Sequence, residues 1–148
     1  VENAKIKNYT TSVPVSRTMA AIEQELLKIG VTHIERSYEA GKPVGMVFSV
    51  QLPGMEKLSF RVPAKTPQVF ELIKSVPGYK TKSRKEQLAQ AERVAWRQML
   101  NWIEIQVVMI QLKQADPIEL FMAFVYLPKQ GKTFYEKVAS DGLKLLTE

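Results

Sequence analysis

The sequence predicts an α+β fold: two layers, a mostly antiparallel sheet of about four strands backed by helices, with one long central or dimerising helix. Two observations carry this. Val44, Met46, Phe48, Val50 and Leu52 alternate with Gly45, Val47, Ser49 and Gln51, and shorter alternating runs stand on either side. Alternation with one polar face marks antiparallel strands covered on one side. The stretch from Ser83 to Gln114 instead keeps helical spacing, with Leu88, Ala91, Ala95, Met99, Trp102, Ile103 and Ile110 on recurring positions. Ser83 and Glu86 open it as an S-x-x-E capping box. From Val94 onward it is apolar nearly all round, which is the pattern of a helix buried in a core or an interface. At ~1.5 Å per residue it runs roughly 45 Å, against the ~30 Å expected of a domain this size. Part of it is therefore expected to leave its own domain and pack on a second copy, giving a homodimer.

The remaining elements follow in order. Residues 5–13 are rich in β-formers and predict a first strand, ended by Pro14. Ser16 is expected to cap a helix reaching Ile29, with Met19, Ile22, Leu26 and Ile29 on one face and Gly30 as its stop. Val31–Tyr38 reads as a strand, residues 39–43 as a hairpin loop, Val44–Leu52 as the clearest strand, and Pro53-Gly54 as a turn. Leu58, Phe60 and Val62 alternate with Lys57, Ser59 and Arg61 in a further strand. Thr66-Pro67 starts a short apolar helix that Pro77-Gly78 stops. Asp116-Pro117 begins another, to about Val125, and residues 128–132 turn. Thr133 and Glu136 repeat the capping-box pattern for a last helix ended by Gly142.

Composition bounds the rest. The 148 residues fit a single domain, and 45% hydrophobic with 24% charged residues is ordinary for a globular chain. No apolar run approaches the ~20 residues of a membrane span, and no signal-peptide core stands at the start, so no membrane partner and a cytoplasmic location are expected. The absence of cysteine excludes disulfides, thiolate nucleophiles and Cys–zinc sites. The net charge of +6 is uneven: residues 65–114 carry nine Lys/Arg against four Asp/Glu. A basic middle favours an anionic partner.

The strongest ligand candidate is the segment Tyr79–Lys85. Lys80, Lys82, Arg84 and Lys85 run directly into a helix start, where cations oppose the helix dipole unless an anion joins them. Arg93 and Arg97 continue a polar stripe with Asn101 and Glu104. The stripe either extends a phosphate track from Lys85 or is the helix's solvent edge, its arginines paired to Glu92, Glu104 or another chain. Lys57 and Arg61 lie on the open sheet face, joined by Lys5, Lys7 and Tyr9 if the first strand adds to that edge. Basic side chains with an aromatic on a sheet suit single-stranded nucleic acid. Trp96 and Trp102 fall on different faces of the long helix, as core or interface.

Catalysis lacks a constellation. His33 is the one histidine, and no Ser/His/Asp or metal-ligand spacing surrounds it. Gly131-Lys132-Thr133 looks like the end of a phosphate-binding loop, but the full motif needs glycine where Tyr126 stands. A turn and helix cap is the expected role. No cofactor or metal site is implied.

Ala91-Glu-Arg-Val-Ala-Trp-Arg97, followed by Trp102-Ile-Glu-Ile-Gln106, resembles a group of small uncharacterised proteins encoded by bacteriophages and prophages. Ile6 through Pro14, Phe60-Arg-Val-Pro63 and Leu127 through Tyr135 are similar too. The resemblance implies a phage or mobile-element protein in the bacterial cytoplasm, and no site residues carry over from it. The expected function is non-enzymatic nucleic-acid binding through the basic loop and long helix. The alternative is a host-defence antagonist that binds a host protein or sequesters a nucleotide signal.

Overall fold

The two sequence periodicities give an α+β fold. A computed structural model describes residues 7–54 and 56–147. Helix α1 (Val15–Leu27) is followed by strands β1 (Val31–Glu39), β2 (Lys42–Val50) and β3 (Leu58–Pro63) and helix α2 (Thr66–Ile73). The long helix α3 (Arg84–Gln111) comes next, then α4 (Pro117–Phe121), which runs into a 3-10 turn at Met122–Phe124. Strands β4 (Tyr126–Leu127) and β5 (Lys132–Thr133) and helices α5 (Phe134–Ser140) and α6 (Lys144–Thr147) complete the described chain. β1, β2 and β3 form an antiparallel sheet in that order, and β4 and β5 form a second, two-stranded one. The chain folds into two compact units, each made of two stretches: 7–26 with 64–105, and 27–63 with 106–147.

The first unit is helical. α1 starts where the carbonyl of Pro14 accepts the N–H groups of Arg17 and Thr18. Ser16 therefore lies inside the first turn and is not its cap. Thr18, Met19, Ile22 and Leu26 are its buried face. α2 carries Pro67 in its first turn, where the missing N–H costs nothing. Val69, Phe70 and Ile73 of α2 pack with Ala91, Val94 and Ala95 of α3, and Tyr9 and Tyr79 lie against this cluster.

The strand predicted at 5–13 does not form among its described residues. Residues 7–10 turn, Asn8 takes φ 67°, and the Thr11 N–H donates to the Asn8 carbonyl at 3.0 Å. Side chains of α3 take the groups a sheet would have used. Gln90 Nε2 donates to the carbonyls of Tyr9 (2.8 Å) and Thr11 (3.0 Å), and Gln98 Nε2 donates to the Lys7 carbonyl (3.1 Å). Asn8 Nδ2 donates to Asn101 Oδ1 at 2.8 Å. Lys5 lies outside the described residues.

α3 is a little shorter than its pattern. Its C-terminus closes with the Gln114 N–H on the Met109 carbonyl and the Lys113 N–H on the Ile110 carbonyl, with Lys113 at φ 59°. This is a Schellman motif with lysine where glycine is usual. Nor is its apolar stretch buried on every side: Val94, Trp96, Leu100, Ile103 and Val107 are buried, whereas Ile105, Val108 and, just beyond the helix, Leu112 are exposed.

In the second unit the β1–β2 hairpin turns tighter than predicted. Glu39 pairs with Lys42, so only Ala40 (φ 49°) and Gly41 (φ 77°) form the loop. Such a two-residue loop needs positive φ at both positions. Pro43 consequently falls within β2 opposite Tyr38, beside a register shift that lets the ladder tolerate a residue with no N–H. At Gly45 the neighbouring strand comes close enough that a Cβ would meet the Val62 carbonyl oxygen at 2.7 Å. Phe48 and Phe60 are cross-strand partners with ring centres 5.2 Å apart, and Phe121 of α4 meets them edge-on at 5.3 Å and tilted at 5.7 Å.

Asp116 caps α4 through the Glu119 N–H at 2.9 Å. α5 begins with the full capping box of Thr133 and Glu136 and ends in a Schellman motif on Gly142, as the sequence anticipated. The short β4–β5 pair and α6 carried too few residues to show a period.

Candidate nucleic-acid interface

The connection from α2 to α3 is a fixed turn. Lys74 N–H bonds the Phe70 carbonyl, and Ser75 and Val76 bond those of Leu72 and Ile73, so the end of α2 tightens into single turns. Tyr79 and Lys80 both donate N–H groups to the Val76 carbonyl, and Lys82 donates to that of Tyr79. Gly78, at φ 95°, makes the bend. Gln87, a buried residue of α3, donates from Nε2 to the Tyr79 carbonyl at 2.9 Å, and the Tyr79 ring lies on the apolar cluster. Ser83 then starts α3, its hydroxyl accepting the Glu86 N–H at 3.2 Å.

This turn displays the predicted cations. Lys80, Lys82, Arg84 and Lys85 are all exposed. The Arg84 guanidinium sits 5.1 Å from the centre of the Phe70 ring, and Lys74 Nζ sits 5.4 Å from the same ring. Lys74 was missed in the sequence. Its signal was its place one helical turn after Phe70, which puts it on the ring that also takes Arg84. Glu71 pairs with Lys74 at 2.7 Å, but both are exposed, and such pairs contribute little. No side-chain hydrogen bond or ion pair among the described residues engages Lys80, Lys82 or Lys85. Four like charges within six residues repel one another, and an anion placed among them relieves that repulsion.

The stripe along α3 divides. The Arg93 guanidinium is held on Gln90 Oε1, and Gln90 in turn holds the N-terminal segment. Asn101 holds that segment as well. Arg97 is half-buried with no such partner. The stripe thus secures the chain's own backbone, and Arg97 is the member left for an anion.

Lys57 and Arg61 belong to the other unit. Lys57 is exposed just before β3. Arg61 is also exposed, but its guanidinium lies over the Tyr126 ring, 4.1 Å from the centre. Tyr9 is in the helical unit, against its core, and so does not extend the sheet. His33 is exposed, with Nδ1 3.2 Å from the Thr32 hydroxyl. Thr133 is committed to its helix cap, and Lys132 Nζ reaches the Ser140 hydroxyl at 3.5 Å. Trp96 is fully buried, and Trp102 is half-buried. No helix of the described chain is long and apolar enough to cross a membrane.

Compared with family models, curated proteins and solved structures, the chain finds no match.

Proposed function

We propose that the protein is a non-enzymatic nucleic-acid-binding protein of a phage or mobile element, acting in the bacterial cytoplasm and gripping phosphates with the turn between α2 and α3. The observation that supports this most is the fixed backbone of that turn under exposed, unpaired Lys80, Lys82 and Lys85, with Arg84 and Lys74 gathered on Phe70. A backbone already held in place has little freedom left to lose when a phosphate arrives. Phosphate contacts carry no base information, so this reading expects weak sequence preference. Arg97 extends the contact; Arg93, Lys57 and Arg61 are secondary.

The test is fluorescence anisotropy with nucleic acid across a salt series. The protein is expected to bind with an affinity that falls steeply with salt. Replacing Lys80→Glu, Lys82→Glu, Arg84→Glu and Lys85→Glu together is expected to abolish binding with an unchanged circular dichroism spectrum. Unchanged affinity in that variant would eliminate the turn as the site.

A second reading, in which the protein antagonises host defence by covering a host protein, draws on the other unit. There Val108, Leu112, Leu145 and Leu146 stand exposed, the last two at 67% and 69%. Val108 and Leu112 are one helical turn apart and Leu145 and Leu146 are neighbours in sequence; exposed apolar side chains that stand together suit protein contacts, and a homodimer would use the same kind of surface.

A further inference from the structure

We infer that the basic turn takes duplex nucleic acid in preference to single strands, an inference that rests on the nucleic-acid reading above and narrows it. The two ligands present different chemistry. A single strand offers unstacked bases, and proteins that hold it do so with exposed aromatic faces, each worth several-fold to a hundredfold in affinity (~1–3 kcal/mol per stacked base). A duplex keeps its bases stacked inside and offers closely spaced phosphates.

The helical unit is equipped for the second and not for the first. Its aromatic residues are Tyr9, Phe70, Tyr79, Trp96 and Trp102, and none is exposed. Trp96 is completely buried and Phe70 is 7% exposed. The Phe70 ring is occupied further by the cations over it, Arg84 and Lys74. Tyr79, the aromatic nearest in sequence to the lysines, has its ring on the apolar cluster and its carbonyl tied to Gln87. A base arriving at the turn therefore meets no exposed ring of the unit that carries it. What it meets is five cations, Lys74, Lys80, Lys82, Arg84 and Lys85, all exposed. The exposed tyrosines of the protein, Tyr38 and Tyr135, belong to the other unit.

The geometry of the turn favours the duplex for a second reason. Its backbone is tied down at Tyr79 and Lys80 by Val76 and Gln87, and Lys82 bonds back to Tyr79. A fixed backbone sets where the cationic side chains start, and side chains rooted in it suit a ligand whose phosphates stand in a regular lattice. A flexible strand must be ordered to match them and gains no stacking in return.

The experiment compares the intact protein's binding to a labelled DNA duplex, an RNA duplex and the separated strands of each, across a salt series. Duplex is expected to bind at least ~10-fold more tightly than its own strands, with log K against log salt falling by about 0.9 per phosphate engaged. Lys82→Ala is expected to weaken duplex binding and to reduce that slope by about one. Tighter binding to the separated strands, lost in the four-residue charge reversal, would overturn the duplex preference and leave the nucleic-acid reading standing. Equal binding to strands and duplex overturns the preference in the same way. No binding of any of these at low salt overturns both. Duplex binding unaffected by the charge reversal removes this turn from either reading.

Discussion

The two units bury polar groups in opposite ways. In the sheet-containing unit the buried hydroxyls are satisfied near at hand: Ser49 by Ser59 across one strand pair at 2.9 Å, and Thr133 by Glu136 within one helical turn. In the helical unit the buried amides reach backbone carbonyls that lie outside any helix or strand. Gln87 takes the Tyr79 carbonyl, and Gln90 takes those of Tyr9 and Thr11, 81 and 79 residues away. Among the described residues that unit also leaves the Thr18 and Thr66 hydroxyls and the Trp96 indole N–H buried without a hydrogen-bond partner. Local pairs fix an element that its own sequence already favours. The amide bonds instead fix segments outside the regular elements, the N-terminal stretch from 81 and 79 residues away and the basic turn from eight. The helical unit thus uses buried polar groups to position the very backbone that carries the proposed site.

If the sheet unit rests on packing, its largest sensitivity lies in the aromatic cluster. Phe60 is fully buried and touches both Phe48 and Phe121. Phe60→Ala is expected to cost ~3–5 kcal/mol, the range for removing a buried ring and leaving a cavity, read as a lowered urea midpoint by circular dichroism. A cost under about 1 kcal/mol would show that the cluster collapses around the gap and would weaken the contrast. The helical unit is expected to respond instead to loss of a buried amide. Gln90→Ala strips two backbone carbonyls and Arg93 of their partner, and is expected to cost about 1–3 kcal/mol. The loss should be localised: faster hydrogen exchange and proteolysis at residues 8–13, with the spectrum of the sheet unit unchanged. Uniform destabilisation without local opening would mean that the amide serves packing and not the N-terminal segment.

The same contrast explains what the sequence revealed. The helices starting at Asp116 and Thr133, the stop at Gly142, and the alternation of Leu58, Phe60 and Val62 were legible because each depends on neighbours within a few residues. The four cations from Lys80 to Arg84 and Lys85 were legible as a cluster for the same reason. Residues 7–13 were misread because their β-forming composition is overridden by Gln90, Gln98 and Asn101, and nothing in the local pattern names those partners. Lys74 joined the site only through a ring it shares with Arg84. Arg61 keeps its exposed place on β3, but its guanidinium lies over the ring of Tyr126, more than sixty residues on, a partner no local pattern names. The division of α3 between two units has no sequence mark at all, since the helix is continuous through it.

The smallest effect tests the local side of the contrast. The Glu136 carboxylate accepts the Thr133 N–H at 2.8 Å, and the Glu136 N–H donates to the Thr133 hydroxyl at 3.2 Å. The bond from the Thr133 backbone, then that involving its side chain, and more weakly the charges of Arg61 and Lys132 hold the Glu136 carboxyl below its ordinary pKa, with slight burial opposing them. A carboxyl depressed in the folded state contributes stability that is complete above its unfolded pKa of about 4.3 and is lost as pH falls through the lower folded value. Glu136→Gln keeps an acceptor for the Thr133 N–H and removes the titration. The variant is therefore expected to lose less stability than the parent between neutral pH and acid, with the two curves approaching each other below about pH 4. A carbon-detected NMR titration of the parent should place Glu136 below the other exposed glutamates, and Arg61→Ala should move it only part of the way back, because the Thr133 bonds remain. If Arg61→Ala restores the ordinary value in full, the long-range charge and not the local cap governs this helix start, and the sheet unit is less local in its polar pairing than its hydrogen bonds indicate.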